Sequence, residues 1–264
     1  MSESIFIADG EHFLPTEQAR GPWDPQALHG GAPAALITAA FERIEPGAEL
    51  HIGRLSFELL RPIPMAPLTL VTSIVRPGRR VQELVAELFA GDELIARAGA
   101  LRVQPVAEDA AGAAARASDD AELAPPASGK PVRFALDESS EDRSFAASAM
   151  EMRWLDDPRA LGPGRVWMRL RHPLLPGEEL SPLARLAATA DFCNGVSAAL
   201  PFERFLFINA DLTIHLQRLP QGEWIGLDAQ TRMHAGGPAL AEGVLHDERG
   251  PLGRAFQTLV VQAR

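Results

Sequence analysis

At 264 residues, against about 150 for a typical domain, the chain has room for one domain or two and for a substantial core. Hydrophobic residues at 46% and charged residues at 23% fit a globular protein, while 35 acidic against 25 basic side chains give a net charge of −10. That balance argues against nucleic acid as the main partner, and a single cysteine excludes an internal disulfide and any multi-cysteine zinc site.

The first twenty residues lack the basic start and long apolar run of a signal peptide, and no window approaches the roughly 18 apolar residues of a membrane span. A cytoplasmic protein with no membrane partner is therefore expected. Short strand-like pieces lead to GPWDPQALHGG, after which APAALITAAFERI reads as an apolar helix starting near His29. Four strand-like runs follow, RLSFELL, LTLVTSIV, VQELVAELF and LIARAGALRV, separated by the turn signals RPIP, RPGRR and GDE. Gln104 to Lys130 is Ala, Pro, Asp, Glu and Ser with almost no large apolar side chain, which reads as a linker. Beyond it come strands around Met150–Trp154 and RVWMRLR, then a helical stretch SPLARLAATADFCNGVSAAL with Ser181 as N-cap before Pro182. Four more runs close the chain: FINADLTIHL, EWIGLDAQTRM, LAEGVLHD and LGRAFQTLVVQ.

The two halves superimpose as sequence. Arg61 and Arg97 lie 36 residues apart, Arg218 and Arg254 do the same, and 157 residues separate each from its counterpart. Gly31 followed by APAAL matches Gly195 followed by VSAAL in the helical stretches. One α+β unit used twice is expected, with unit one at residues 1–105, the Ala/Pro-rich acidic linker at 106–130, and unit two at 131–264.

The segments LHGGAPAAL (28–36), SFELLRPIP (56–64), IVRPGRR (74–80), ADFCNG (190–195), INADLTIHLQR (208–218), GEWIGLDAQT (222–231) and GRAFQTLVV (253–261), in this order, resemble the double hotdog acyl-CoA thioesterases, above all acyl-CoA thioesterase II and its relatives. The resemblance implies an α+β double hotdog, each unit an antiparallel sheet wrapped around a central helix. It also implies hydrolysis of an acyl-CoA thioester. Members of that family carry a water-activating Asp-Thr-Gln set in the second hotdog, and the matching positions are Asp211, Thr231 (or Arg232, one residue on) and Gln257.

Taken as residues, Asp211 alternates with Leu212, Ile214 and Leu216, so a solvated strand-end carboxylate is an equally simple reading. Gln257 shares its face with Ala255, Leu259 and Val261, where an amide needs partners whether or not it is functional. Thr231 is in phase with Ile225, Leu227 and Ala229, and Thr suits strands in any case. The expected chemistry has Asp211 as general base, with Gln257 and Thr231 orienting the water. Backbone N–H groups at Gly30 and Gly31 are candidates to hold the thioester oxygen, or else the two glycines simply permit close packing. Asp191 is a lesser candidate base, as other hotdog enzymes use a helix carboxylate, and Cys193 reads as a small buried hydrophobe. Arg76, Arg79 and Arg80 in RPGRR form either a patch for CoA phosphates or a solvated turn. The seven histidines show no ligand spacing, so neither a metal nor another cofactor is expected. Rival readings are a hotdog hydratase, whose Asp/His pair after the helix start is not found, and a non-catalytic acyl- or lipid-binding protein. A homo-oligomer of double hotdog chains is expected by analogy.

Overall fold

Burial that alternates residue by residue fixes the strands of the first half. Between Val81 and Ala90, Gln82, Leu84, Ala86 and Leu88 turn inward while the residues between them are only half-buried. The computed structural model describes residues 4–44, 49–107, 122–134 and 143–264. The first half comprises β1 (Phe6–Asp9), β2 (His12–Pro15), α1 (Gly31–Arg43), β3 (His51–Leu59), β4 (Leu68–Arg76), β5 (Val81–Ala90) and β6 (Glu93–Val103). Helix α1 buries Ala32, Ala34, Ala35, Leu36, Ile37 and Phe41, apolar nearly all round, as a helix enclosed by a sheet must be. Its C-terminal carbonyls are met by the buried Arg102, which donates to Phe41 and Ile44.

The second half comprises β7 (Lys130–Pro131), β8 (Met150–Trp154), β9 (Gly164–Leu170), α2 (Pro182–Ala190), α3 (Cys193–Val196), β10 (Phe205–Asn209), β11 (Asp211–Leu216), β12 (Ile225–Arg232), β13 (Ala239–Asp247) and β14 (Gly250–Ala263). The long helical stretch expected from the sequence is broken. Ser181 caps α2 as anticipated, accepting from the Ala184 N–H, but the helix ends at Ala190, and the Phe192 N–H tightens back onto Thr189 before α3 begins. Gly31 therefore opens a helix whereas Gly195 sits inside α3, so the proposed match between these glycines does not hold. FINADLTIHL is likewise two strands, parted at Ala210, whose N–H goes to Thr258.

The last four strands of each half, β3–β6 and β11–β14, match at the expected spacing of 157 residues. The sheet runs β1-β2-β4-β5-β6-β3-β11-β14-β13-β12-β9-β8-β7, with β10 added on β14. The halves meet where β3 pairs antiparallel with β11, Arg54 opposite His215, Ser56 opposite Thr213 and Glu58 opposite Asp211. Ser56 and Thr213 are repeat equivalents, so a pseudo-two-fold axis passes between them and the sheet is continuous through it. This is a double hotdog. On its inner face α1 packs against α2 in opposite directions, since Gly31 lies against Ala188 and Glu42 against Ser181.

Of the expected linker, residues 108–121 lie outside the described residues. The stretch that follows is docked on the second half: Trp167 Nε1 donates to the Ala124 carbonyl and Pro126 is buried. No helix among the described residues is long and apolar enough to cross a membrane.

Candidate active site

Where α2 breaks, the Asp191 side chain is delivered to the N-terminus of α1. Asp191 is buried, only 5% exposed, so each carboxylate oxygen needs donors. Oδ1 accepts from Asn209 Nδ2 at 2.9 Å and from Gln257 Nε2 at 3.3 Å. Oδ2 lies 3.0 Å from His29 Nδ1. The close approach requires Gly30, because a Cβ there would stand 2.8 Å from Oδ2. Gly30 is also the N-cap of α1 and supplies no side-chain cap. The α1 terminus therefore faces a buried carboxylate, with its first-turn amides nearby.

Gln257, wholly buried on β14, is fixed in orientation by its partners. Its Nε2 donates to the Asp191 carbonyl at 3.0 Å as well as to Oδ1, and its Oε1 accepts from the Asn194 N–H at 3.1 Å. Flipping the amide would set oxygen against two acceptors, so only one orientation is satisfied. Its repeat equivalent on β6 is Ala100, which leaves this amide in the second half alone.

Thr231 is brought to the other end of α3. Its hydroxyl bonds Ser197 Oγ at 2.8 Å, and Ser197 in turn donates to the Cys193 carbonyl. Thr231 and Gln257 both register with Ala241 on β13, so they share the inner face two strands apart, about 10 Å between backbones. Both brace the turn that carries Asp191.

Asp211 is not part of this assembly, and here the expectation is corrected. Leu212 and Ile214 are buried inward, so Asp211 points to the outer face of the sheet, where its Oδ1 accepts from the Thr258 N–H at 2.6 Å. Gln257 faces inward from the neighbouring position. A general base on one face cannot share a water with an amide on the other. What reaches the site from this strand is main chain: Asn209 Nδ2 also donates to the Asp211 carbonyl.

His29 and Asp191 stand 162 residues apart in sequence and in contact in space. The imidazole stacks on Phe192 at 4.3 Å between ring centroids and lies 5.0 Å from Phe145, which itself packs 6.1 Å from Phe192, while the Gly31 N–H donates to Nδ1 at 3.0 Å. The Asp/His pair that a hydratase would need is therefore present as geometry, although no linear motif announces it. Beside Asp191 and Gly30 lies a narrow crevice with about 10 Å³ of free space, lined by Pro33, Ala34 and Ile37 of α1 and by Phe57, Ile63 and Leu212. Apart from the carboxylate its walls are apolar. Cys193 is buried next to this turn, and burial first, then the charge of Asp191, pushes its thiol far above the ordinary range, which suits a packing residue and not a nucleophile.

Arg76 is the last residue of β4, and Arg79 and Arg80 lie on the exposed turn between β4 and β5. Their end of the sheet is the one where Gln82 and Arg102 meet the C-terminus of α1, a helix length of about 20 Å from Asp191. The turn and the carboxylate are thus at opposite ends of the same helix.

Comparison with known families places residues 19–103 against the model of the acyl-CoA thioesterase N-terminal domain and residues 118–261 against that of the acyl-CoA thioesterase C-terminal domain. Among curated proteins, none matches the chain. Among solved structures, a hot dog fold protein of Alicyclobacillus acidocaldarius is 18% identical with a TM-score of 0.70, covering 98% of this chain and 95% of its own. The acyl-CoA thioesterase II TesB2 of Mycobacterium marinum is 18% identical with a TM-score of 0.63, covering 91% of each chain. The tesB protein of Mycobacterium avium subsp. paratuberculosis is 13% identical with a TM-score of 0.62, covering 98% and 96%. At these identities the structural likeness speaks for the fold.

Proposed function

Since the chain belongs to the acyl-CoA thioesterase family, we propose that it hydrolyses an acyl-CoA thioester to the free acid and CoA with Asp191 as general base. The observation that carries this reading is the buried Asp191 carboxylate, held at the α1 N-terminus by Asn209 and Gln257 beside an apolar crevice. In the proposal the acyl group enters the crevice and the thioester oxygen turns toward the first-turn amides near Gly30 and Gly31, where helix N–H groups favour negative charge. A water on Asp191 Oδ2 gives up its proton to the carboxylate as its oxygen bonds the thioester carbon. The oxyanion then collapses, the C–S bond breaks, and CoA leaves as the thiolate. Gln257 keeps Oδ1 occupied, so Oδ2 is the oxygen that faces the water, and Thr231 supports the turn through Ser197. Fixing the base in this way supplies orientation that a mobile carboxylate lacks.

Thiol release from an acyl-CoA panel tests the proposal. The expected result is turnover by the wild type and by Asp211→Asn, with loss of about 10²–10⁴-fold in Asp191→Asn. Equal rates for wild type and Asp191→Asn would remove Asp191 from the mechanism. The His29–Asp191 contact favours a second reading, water addition to an enoyl thioester. Hydration of enoyl-CoA without thiol release would select it, and binding of acyl-CoA with neither reaction would select the non-catalytic module.

A further inference from the structure

One nitrogen of His29 serves two neighbours that make opposite demands on it. Nδ1 accepts the Gly31 N–H at 3.0 Å, which requires a lone pair on that nitrogen, and it lies 3.0 Å from Asp191 Oδ2, which is a bond only when a proton sits between them. Nδ1 has one site, so the two contacts exclude each other. Phe192 stacks on one face of the ring and Phe145 packs beside it, which confines the ring to a small tilt. The carboxylate has no room to yield either, since Oδ1 is held by Asn209 and Gln257. Gly31 is fixed as well: a Cβ there would meet the Ala188 carbonyl at 2.7 Å. What remains free to move is the proton, and with it a small tilt of the ring that clears the Gly31 N–H.

Resting on the thioesterase reading above, we propose that His29 couples deprotonation of the water to release of the Gly31 N–H, so that an oxyanion donor is freed as the oxyanion forms. In the resting state Asp191 is ionised, the ring carries its proton on Nε2, and the Gly31 N–H is bonded to Nδ1. When the attacking water gives its proton to Asp191 Oδ2, rotation of the carboxyl O–H turns that proton toward Nδ1, where it is shared with the ring's lone pair. The Gly31 N–H loses its acceptor at that moment and is available to the new negative charge on the thioester oxygen. In the same step the water oxygen bonds the thioester carbon and the carbonyl opens to the oxyanion; no other covalent bond changes. On collapse to thiolate and acid the proton leaves for the thiolate or for solvent, and the Gly31 N–H returns to Nδ1. Among the contacts the ring makes, Asp191 is the one titratable group; Phe145, Phe192 and Gly31 carry no charge, nor do the Asn209 and Gln257 amides that hold Asp191. His29 is thus a positioning residue, acting through Asp191 and through a backbone amide.

The test combines His29→Phe with an observable that needs no turnover. Phe keeps the stack on Phe192 and removes both nitrogens. Expected for His29→Phe are an unchanged thermal midpoint, a kcat lower by about 10²-fold at unchanged KM, and a kcat–pH profile of altered shape. A structural role alone would leave that shape as it is. In the wild type, the Gly31 amide resonance should follow titration of the His29 ring in ¹H–¹⁵N spectra, and that dependence should vanish in His29→Phe. A Gly31 amide that ignores the ring's titration overturns the coupling, as does a His29→Phe enzyme with the wild-type kcat and pH profile. If the spectra show the coupling and no acyl-CoA is cleaved, the thioesterase reading fails while the proton-linked contact stands. If His29→Phe does not fold, His29→Gln and the wild-type spectra decide by the same criteria.

Discussion

The two ends of the α1–α2 pair are related by the pseudo-two-fold axis, yet they are built in opposite ways. At one end α1 begins with Gly30 and no side-chain cap, and the facing carboxylate, Asp191, is held by amides of Asn209 and Gln257. At the other end α2 begins with Ser181, which caps the helix, and with Pro182, which has no N–H to offer; the facing carboxylate, Glu42, accepts the Ser181 hydroxyl and lies near Arg102. The second end has its donors and acceptors matched within the protein. The first leaves amides whose partners can be exchanged. The difference is not one of fold but of capping: a helix N-terminus becomes a candidate site when its own sequence does not close it.

The largest test of that contrast is a pair of carboxylate substitutions. Asp191→Asn should lower kcat for thiol release by about 10²–10⁴-fold, while Glu42→Gln should leave it unchanged. A comparable loss from both would erase the distinction between the ends. A second pair compares ion pairs at related places in the repeat. Arg218 grips Asp247, whose side chain is fully buried, through two bonds of 2.6 Å, whereas the counterpart Arg61 meets Glu93 with both side chains exposed. Asp247→Ala should cost about 1–3 kcal/mol in urea unfolding because the Gln221 and Arg249 amides lose their acceptor and Arg218 keeps only the Gly250 and Pro251 carbonyls, and Glu93→Ala at most about 1 kcal/mol.

Smaller effects sharpen the capping argument. Gly30→Ala should lower kcat by about 10²-fold through displacement of Asp191, since its Cβ would arrive 2.8 Å from Oδ2. Ser181→Ala should instead lower stability by about 1 kcal/mol and leave kcat alone. The smallest effect is one of pH. Burial raises the Glu42 carboxyl above its ordinary 4.5, outweighing the Ser181 bond and the Arg102 and Arg43 charges. A raised folded value means stability that is full below the unfolded value and falls as pH rises through the folded one. Burial also pushes Asp247 up, but Arg218 and the two amides outweigh it and leave it below 3.8. Its stability is therefore present above the unfolded value and lost as pH falls through the folded one. Unfolding free energy followed from pH 3 to 7 should lose the first slope in Glu42→Gln and the second in Asp247→Asn.

Much of the fold could be read from the chain because strands and repeats are local and periodic signals. The offset between Arg61 and Arg218 holds for the four strands β3–β6 and β11–β14, and Gln257 among core residues marks an amide that needs partners. Asp191 was less legible, and for a physical reason. Its partners, His29, Asn209 and Gln257, come from three distant segments, so no spacing along the chain records them. A signal did exist, as a lone carboxylate between Ala190, Phe192 and Cys193 has no apolar reason to be there. For Asp211 the alternation with Leu212 and Ile214 already turns the side chain outward, against the role that the family resemblance implies. The helical stretch after Ser181 was read as one element because composition cannot register a break made to aim a side chain.

The seam between β3 and β11 joins in one polypeptide what a symmetric pair of subunits would hold in two. Glycines and imidazole come from one side of it, the carboxylate and its amides from the other. Their local concentration is set by the tether and not by the amount of protein, so dilution does not separate them. Covalent joining also removes an inherited constraint. In a homodimer each substitution appears twice, and a change that closes one end closes both. Here one end could be sealed with Ser181 and Pro182 for strength while the other was left open for chemistry.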